Sequence, residues 1–119
     1  MIENKDITIS FDFDGTLSLP SVQEIASEIV KAGYNVIVTT TRHNKYLNQD
    51  LVKVIEKVGI RKVVYTDGDK KHHYMEDVDI HFDNDETELR EISRNTYTEV
   101  INVTEKQWKV TAQSLINLI

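Results

Sequence analysis

Short β-rich runs and amphipathic helical stripes alternate along this chain almost from end to end, and no other feature limits its fold as much. Strands joined through single helices return in the same direction, so the sheet they build is mostly parallel and covered on both faces. Five such runs are legible: Ile7–Asp12, Val36–Thr40, Lys62–Tyr65, a run through Val78, Ile80 and Phe82 that ends at Asp83, and Glu99–Val103. The expected product is an α/β domain of three layers around a five-stranded sheet. At 119 residues the chain has no room for a second independent core, so one domain over residues 1–119 is expected.

The connecting stretches carry helix signals. Ser21 and Glu24 have the spacing of a capping box, ahead of an apolar stripe of Val22, Ile25, Ala26, Ile29 and Val30 that Gly33 closes. A second stripe runs through Leu47, Leu51, Val54, Ile55 and Val58 to Gly59. Thr66-Asp67-Gly68-Asp69 reads as a turn. After Asp83 a short helix is expected, with Asp85, Glu86 and Glu88 at its positive end and Leu89 and Ile92 facing inward. Thr104 and Gln107 are expected to cap a last helix with the stripe Trp108, Ala112, Leu115, Ile116 and Ile119.

Composition removes several classes of function. With no cysteine, disulfides and thiolate metal sites are impossible. No stretch approaches the roughly 18 apolar residues that span a bilayer, and MIENKDITIS lacks the apolar core of a signal peptide, so a cytoplasmic protein without membrane contact is expected. A formal net charge of −6 disfavours strong nucleic-acid binding, which needs cations to neutralise phosphates. Arg42, His43 and Lys45 nevertheless form a local basic group.

In parallel sheets ligands bind beyond the carboxyl ends of the strands, so polar residues there are the candidates for chemistry. The first run ends in Phe11-Asp12-Phe13-Asp14-Gly15-Thr16-Leu17: two carboxylates one residue apart, then a glycine that permits a sharp turn. Two carboxylates at one strand end repel unless a cation intervenes or one is protonated, which suits a nucleophile beside a proton donor. The second run ends in Thr39-Thr40-Thr41-Arg42, and the fourth in Asp83-Asn84-Asp85. Lys70 and Lys71 precede the fourth. His43, His72, His73 and His81 have spacings that fit no recognised metal site, and His81 reads as a strand residue.

The seven-residue string resembles the nucleophile motif of the haloacid dehalogenase-like superfamily, and the later segments follow that family's order. The resemblance implies a single Rossmann-like domain and a phosphatase that works through an aspartyl-phosphate. Asp12 is then the nucleophile and Asp14 the proton donor, and Thr40 (or Thr39) holds a phosphoryl oxygen together with Lys71 (or Lys70). Mg²⁺ is expected on the carboxylates of Asp12 and Asp83 and the main-chain carbonyl of Asp14, with Asp85 as a further candidate. Gly15, Thr39, Thr41 and Arg42 are expected on the substrate side. Family members that act as dehalogenases lack an acid at the position of Asp14, which favours phosphate chemistry.

Only a few residues separate Thr16 from the first helix, and Gly59–Lys70 holds little beyond a strand and a turn, so no cap domain is expected. In that family an open site suits large or end-exposed phosphates as well as nucleotides. With Arg42, His43 and Lys45 to grip further charge at the rim and an acidic surface elsewhere to repel long nucleic acid, a small phosphorylated substrate, a mononucleotide first, is expected. Polynucleotide ends and phosphoproteins are the alternatives. A phospho-accepting receiver domain is a competitor of another class, but there the acceptor Asp follows the third strand, and here that strand ends in Tyr65-Thr66.

Overall fold

The computed structural model describes residues 2–116 and contains the five strands, all parallel, in the order β3-β2-β1-β4-β5. They are β1 (Thr8–Phe11), β2 (Asn35–Thr40), β3 (Lys62–Tyr65), β4 (Ile80–Asp83) and β5 (Glu99–Asn102). The four helices are α1 (Pro20–Lys31), α2 (Gln49–Val58), α3 (Glu86–Asn95) and α4 (Trp108–Ile116). Short 3₁₀ turns lie at Asn4–Asp6 and Lys71–Tyr74. No helix among the described residues is long and apolar enough to cross a membrane.

Alternation along the strands divides the interior into two unequal layers. Ile9, Phe11, Val36, Val38 and Phe82 face a large core closed by α1, α2 and α4, where Phe11 stacks on Phe82 and Trp108 meets the Phe82 ring edge-on. The opposite face holds a small apolar cluster of Ile37, Met75, Val78 and Ile92. Ser10, Thr39 and His81 are wholly buried as well, although they are polar. β1 occupies the centre of the sheet, so the connection that leaves it opens at the middle of the carboxyl edge.

Several helix ends differ from expectation. Pro20 occupies the first turn of α1 and Leu19 its N-cap, so Ser21 lies inside the helix and the Ser21–Glu24 capping box does not form. A proline there fixes φ and lacks only an N–H that would be orphaned anyway. α2 begins at Gln49, and Leu47 stands outside its stripe, 81% exposed. Thr104 donates to Asn102 Oδ1 instead of capping α4, and Leu115 is exposed beside the buried Trp108, Ala112 and Ile116. Ile119 lies outside the described residues. Gly33 and Gly59 do end α1 and α2, each with positive φ.

Candidate active site at the carboxyl edge of the sheet

β1 gives way at Asp12 to a single wide turn closed by Leu17 N–H to Asp12 C=O at 3.1 Å and Ser18 N–H to Phe13 C=O at 2.9 Å. Such i→i+5 turns are rare and concentrate at functional sites. Gly15 takes φ +75° in it, and a Cβ there would stand 2.5 Å from the Asn84 side-chain amide. Both the backbone and the space therefore require glycine. The Gly15 N–H donates to Ser18 Oγ at 3.0 Å.

Asp12 is the centre of the site and only 6% exposed. Its Oδ1 accepts from Lys71 Nζ at 2.7 Å, and its Oδ2 accepts from Thr16 Oγ1 at 3.1 Å. Lys71 also donates to Asp83 Oδ2 at 2.7 Å, so one buried ammonium joins two strand-end carboxylates. Of the paired lysines, it is Lys71 whose ammonium enters the site, while Lys70 is exposed. Burial, with the nearby Asp83 charge, raises the Asp12 carboxyl to about 6 in spite of Lys71. Burial pushes Asp83 the same way, but His81 and Lys71 outweigh it and hold that carboxyl below its usual range. The Lys71 ammonium is itself disfavoured by burial and held charged by Asp83 and Asp12, so its pKa is raised.

Asp83 does not face the open side of the site. Its Oδ1 accepts from the Asn84 and Asp85 N–H groups at 2.8 and 3.0 Å, and its Oδ2 accepts from Lys71 and from His81 Nε2 at 2.7 and 2.8 Å. A carboxylate offers about four lone-pair positions, and all four are taken. This departs from the expectation that Asp83 would be a cation ligand. Asp85, the further candidate, caps α3 by accepting from Thr87 and Glu88 N–H.

Asn84 is the residue that sequence reasoning missed. One end of its amide lies 2.8 Å from Asp12 Oδ2, 2.9 Å from the Asp14 carbonyl oxygen and 3.1 Å from Thr16 Oγ1. Without a cation the amide nitrogen belongs there, donating to both oxygens. With the amide turned over, oxygens from Asn84, Asp12 and Asp14 would share that position. The separations match the roughly 2.9 Å edge of an octahedron with Mg–O bonds of about 2.0–2.1 Å. No group of three His, Cys, Asp or Glu side chains among the described residues is arranged to hold a metal. The set here is mixed instead: a carboxylate, a main-chain carbonyl and an amide, all hard oxygen donors that suit Mg²⁺.

The threonines of β2 separate by face. Thr40 ends the strand at this edge, its Oγ1 accepting from Arg42 N–H at 3.2 Å, with no acceptor among the described residues for its own proton. Thr39 is buried on the inner face and bonded to Ser10 at 2.7 Å, away from any substrate. Thr41 is exposed, and its carbonyl accepts from Gly68 N–H.

Arg42 lies with its guanidinium 4.9 Å above the Phe13 ring and spends its donors on three side chains. It forks onto Asp14 at 2.9 and 2.7 Å and onto Asp50 at 2.7 and 2.8 Å, and reaches Asn48 Oδ1 at 3.3 Å. All five N–H groups are thereby used. In this state Arg42 holds Asp14 and has no donor left for a substrate. His43 lies against Asp67, and His73 and Tyr74 gather on Asp69.

Two cavities in other parts of the molecule hold none of the strand-end carboxylates. One of about 360 Å³ lies between α3 and α4, and one of about 500 Å³ lies where the strands begin. The strand-end carboxylates and Lys71 gather at the carboxyl edge of the sheet instead. No family model matches the chain, and no curated protein or solved structure matches it significantly, so the reading of this edge rests on its own residues.

Proposed function

We propose that this chain is a Mg²⁺-dependent phosphomonoester hydrolase in which Asp12 is the nucleophile. The observation that carries this reading is the double engagement of Asp12: one oxygen on the Lys71 ammonium, the other beside the Asp14 carbonyl and the Asn84 amide. A phosphate dianion repels a carboxylate nucleophile, so positive charge must be in place before the reaction begins. Asp12, the Asp14 carbonyl and Asn84 would hold the cation, which when bound supplies charge neutralisation for the phosphoryl oxygens.

Lys71 and the Thr40 hydroxyl donate to the phosphoryl group. A carboxylate oxygen of Asp12 attacks phosphorus, an acyl phosphate forms, and the ester oxygen leaves with a proton. Asp14 is the acid, and it later takes a proton from the water that attacks the intermediate and restores Asp12. While Arg42 donates to both its oxygens Asp14 has neither turned toward a leaving group, so it serves as an acid only after parting from Arg42. No cap covers this edge among the described residues, so specificity falls to groups on the rim, and nucleotides are the first class to test.

A phosphate-release screen over nucleotides, sugar phosphates, phosphopeptides and 3′- or 5′-phosphorylated oligonucleotides, with Mg²⁺ or with chelator, tests the reading. Mg²⁺-dependent release by the wild type and none by Asp12→Asn is expected. Release that persists in excess chelator, or a tenth of wild-type turnover in Asp12→Asn, overturns it. A preference for oligonucleotide ends over mononucleotides would replace the substrate class and keep the chemistry.

A further inference from the structure

Three polar side chains are buried on the smaller face of the sheet where aliphatic residues would satisfy the strands equally well. Ser10, Thr39 and His81 are each 0% exposed. They stand on three adjacent strands and form one chain: Thr39 Oγ1 to Ser10 Oγ at 2.7 Å, Ser10 Oγ to His81 Nδ1 at 3.0 Å, and His81 Nε2 to Asp83 Oδ2 at 2.8 Å. Lys71 and then Asp12 continue it. A buried polar group left unpaired is costly, so such a series persists only when each member is satisfied.

The donors in the chain can be assigned from its end. Asp83 is ionised and can only accept, so His81 Nε2 carries the hydrogen that points at it. Burial of His81 lowers its pKa and keeps the ring neutral. Nδ1 is then bare and accepts from the Ser10 hydroxyl, whose oxygen in turn accepts from Thr39. Every hydrogen points toward Asp83, and cooperative polarisation strengthens the last bond.

We propose that His81, backed by Ser10 and Thr39, is a positioning residue that aims the Lys71 ammonium at Asp12. His81 fills one of the two lone-pair positions on Asp83 Oδ2, which leaves a single approach for Lys71, the one from which Nζ also reaches Asp12 Oδ1. Without His81 the ammonium has two places on Asp83 and leaves Asp12 for part of the time. The geometric claim stands on the hydrogen bonds alone; its effect on turnover rests on the phosphatase reading above.

The test reads Lys71 directly. In ¹⁵N-labelled, metal-free protein the buried ammonium should give a resolved, slowly exchanging NMR signal, assigned by its loss in Lys71→Met. His81→Leu should shift that signal and speed its exchange, Ser10→Ala should do so less and Thr39→Val least, and His81→Gln should restore it. On a substrate found by the screen, His81→Leu should lower kcat roughly tenfold, in the range known for groups that orient a site's direct contacts, with KM within about twofold. No resolved Lys71 signal in the wild type, or an unmoved signal in folded His81→Leu, overturns the proposal whatever the turnover. If His81→Leu does not fold, Ser10→Ala and Thr39→Val decide by the same readout. Wild-type protein with the expected ammonium signals and no phosphatase activity would overturn the phosphatase reading and leave the positioning role standing.

Discussion

The proposed attack by Asp12 requires an ionised carboxylate, yet the surroundings of Asp12 favour the proton. With its carboxyl raised to about 6, the folded protein holds that proton more tightly than the unfolded chain does. The contribution of Asp12 to stability therefore falls as pH rises from about 4 to about 6 and stays lower beyond, opposite in sign to that of Asp83, whose carboxyl is held below its usual range. In chelator, Asp12→Asn should be more stable than the wild type at pH 8, by about 1–3 kcal/mol. The two thermal midpoints should converge toward pH 4, and equal midpoints at pH 8 would contradict the argument. Arg42 bears on the acid in turn. Because Asp14 can act as the acid only after it leaves Arg42, Arg42→Ala should raise kcat, by about twofold or more, with KM little changed. A change in KM alone would return Arg42 to gripping substrate. Asp12 was legible because a strand end and the glycine at 15 limit where its side chain goes, whereas Lys71 was separated from Lys70 only by the expectation that Tyr74 and Met75 turn inward. Asn84 was not legible: whether a strand-end Asp or its neighbour faces the site depends on how the backbone turns after β4, and no residue type encodes that. Thr40 was favoured over Thr39 only by its spacing from Arg42, and one residue of register decides which face each takes.

At the scale of elements, the turn after β1 is the most constrained piece of backbone in the site. Gly15→Ala would place a side chain at positive φ, costing about 1–2 kcal/mol, and would push the Asn84 amide aside. Circular dichroism should be unchanged, while the Mg²⁺ concentration for half-maximal phosphate release rises about tenfold. An unchanged Mg²⁺ requirement would remove Asn84 from the ligand set. The 3₁₀ turn at Lys71–Tyr74 makes a comparable choice between neighbours, turning Lys71 inward and leaving Lys70 in solvent. Lys71→Ala should cost about 10²–10³ in kcat, as for loss of one preorganised donor, and Lys70→Ala less than twofold. Helix existence was legible from stripes, but helix ends were less so. Pro20 outweighed Ser21 in setting where α1 starts, and Asn48, at φ 50°, delays α2 beyond Leu47. Both are local backbone preferences that an apolar pattern does not carry.

For the whole molecule, the alternation of strands and helices was enough to give a parallel three-layer fold, because crossovers leave few other solutions. The order β3-β2-β1-β4-β5 was not legible from pattern alone, since each strand is apolar enough to be interior. A cation bound at the carboxyl edge ties β1 to the segment after β4, so Mg²⁺ should raise the thermal midpoint of the wild type in proportion to ln(1 + [Mg²⁺]/Kd). Asp12→Asn should gain much less, and equal gains would move the ion elsewhere. The central pairing of β1 with β4 has a consequence in time as well as in space. Ser10 and His81 lie 71 positions apart, and a ribosome delivers the N-terminal end first. Through most of synthesis the growing chain carries Asp12 with no partner strand on that side and no Asp83 to anchor the Lys71 ammonium. A nascent chain released before residue 83 would contain Asp12, Thr40 and Lys71 without the strand that brings Asp83 and Asn84 to them, so the proposed phosphatase activity, if measured, would also report that β4 has been threaded into place.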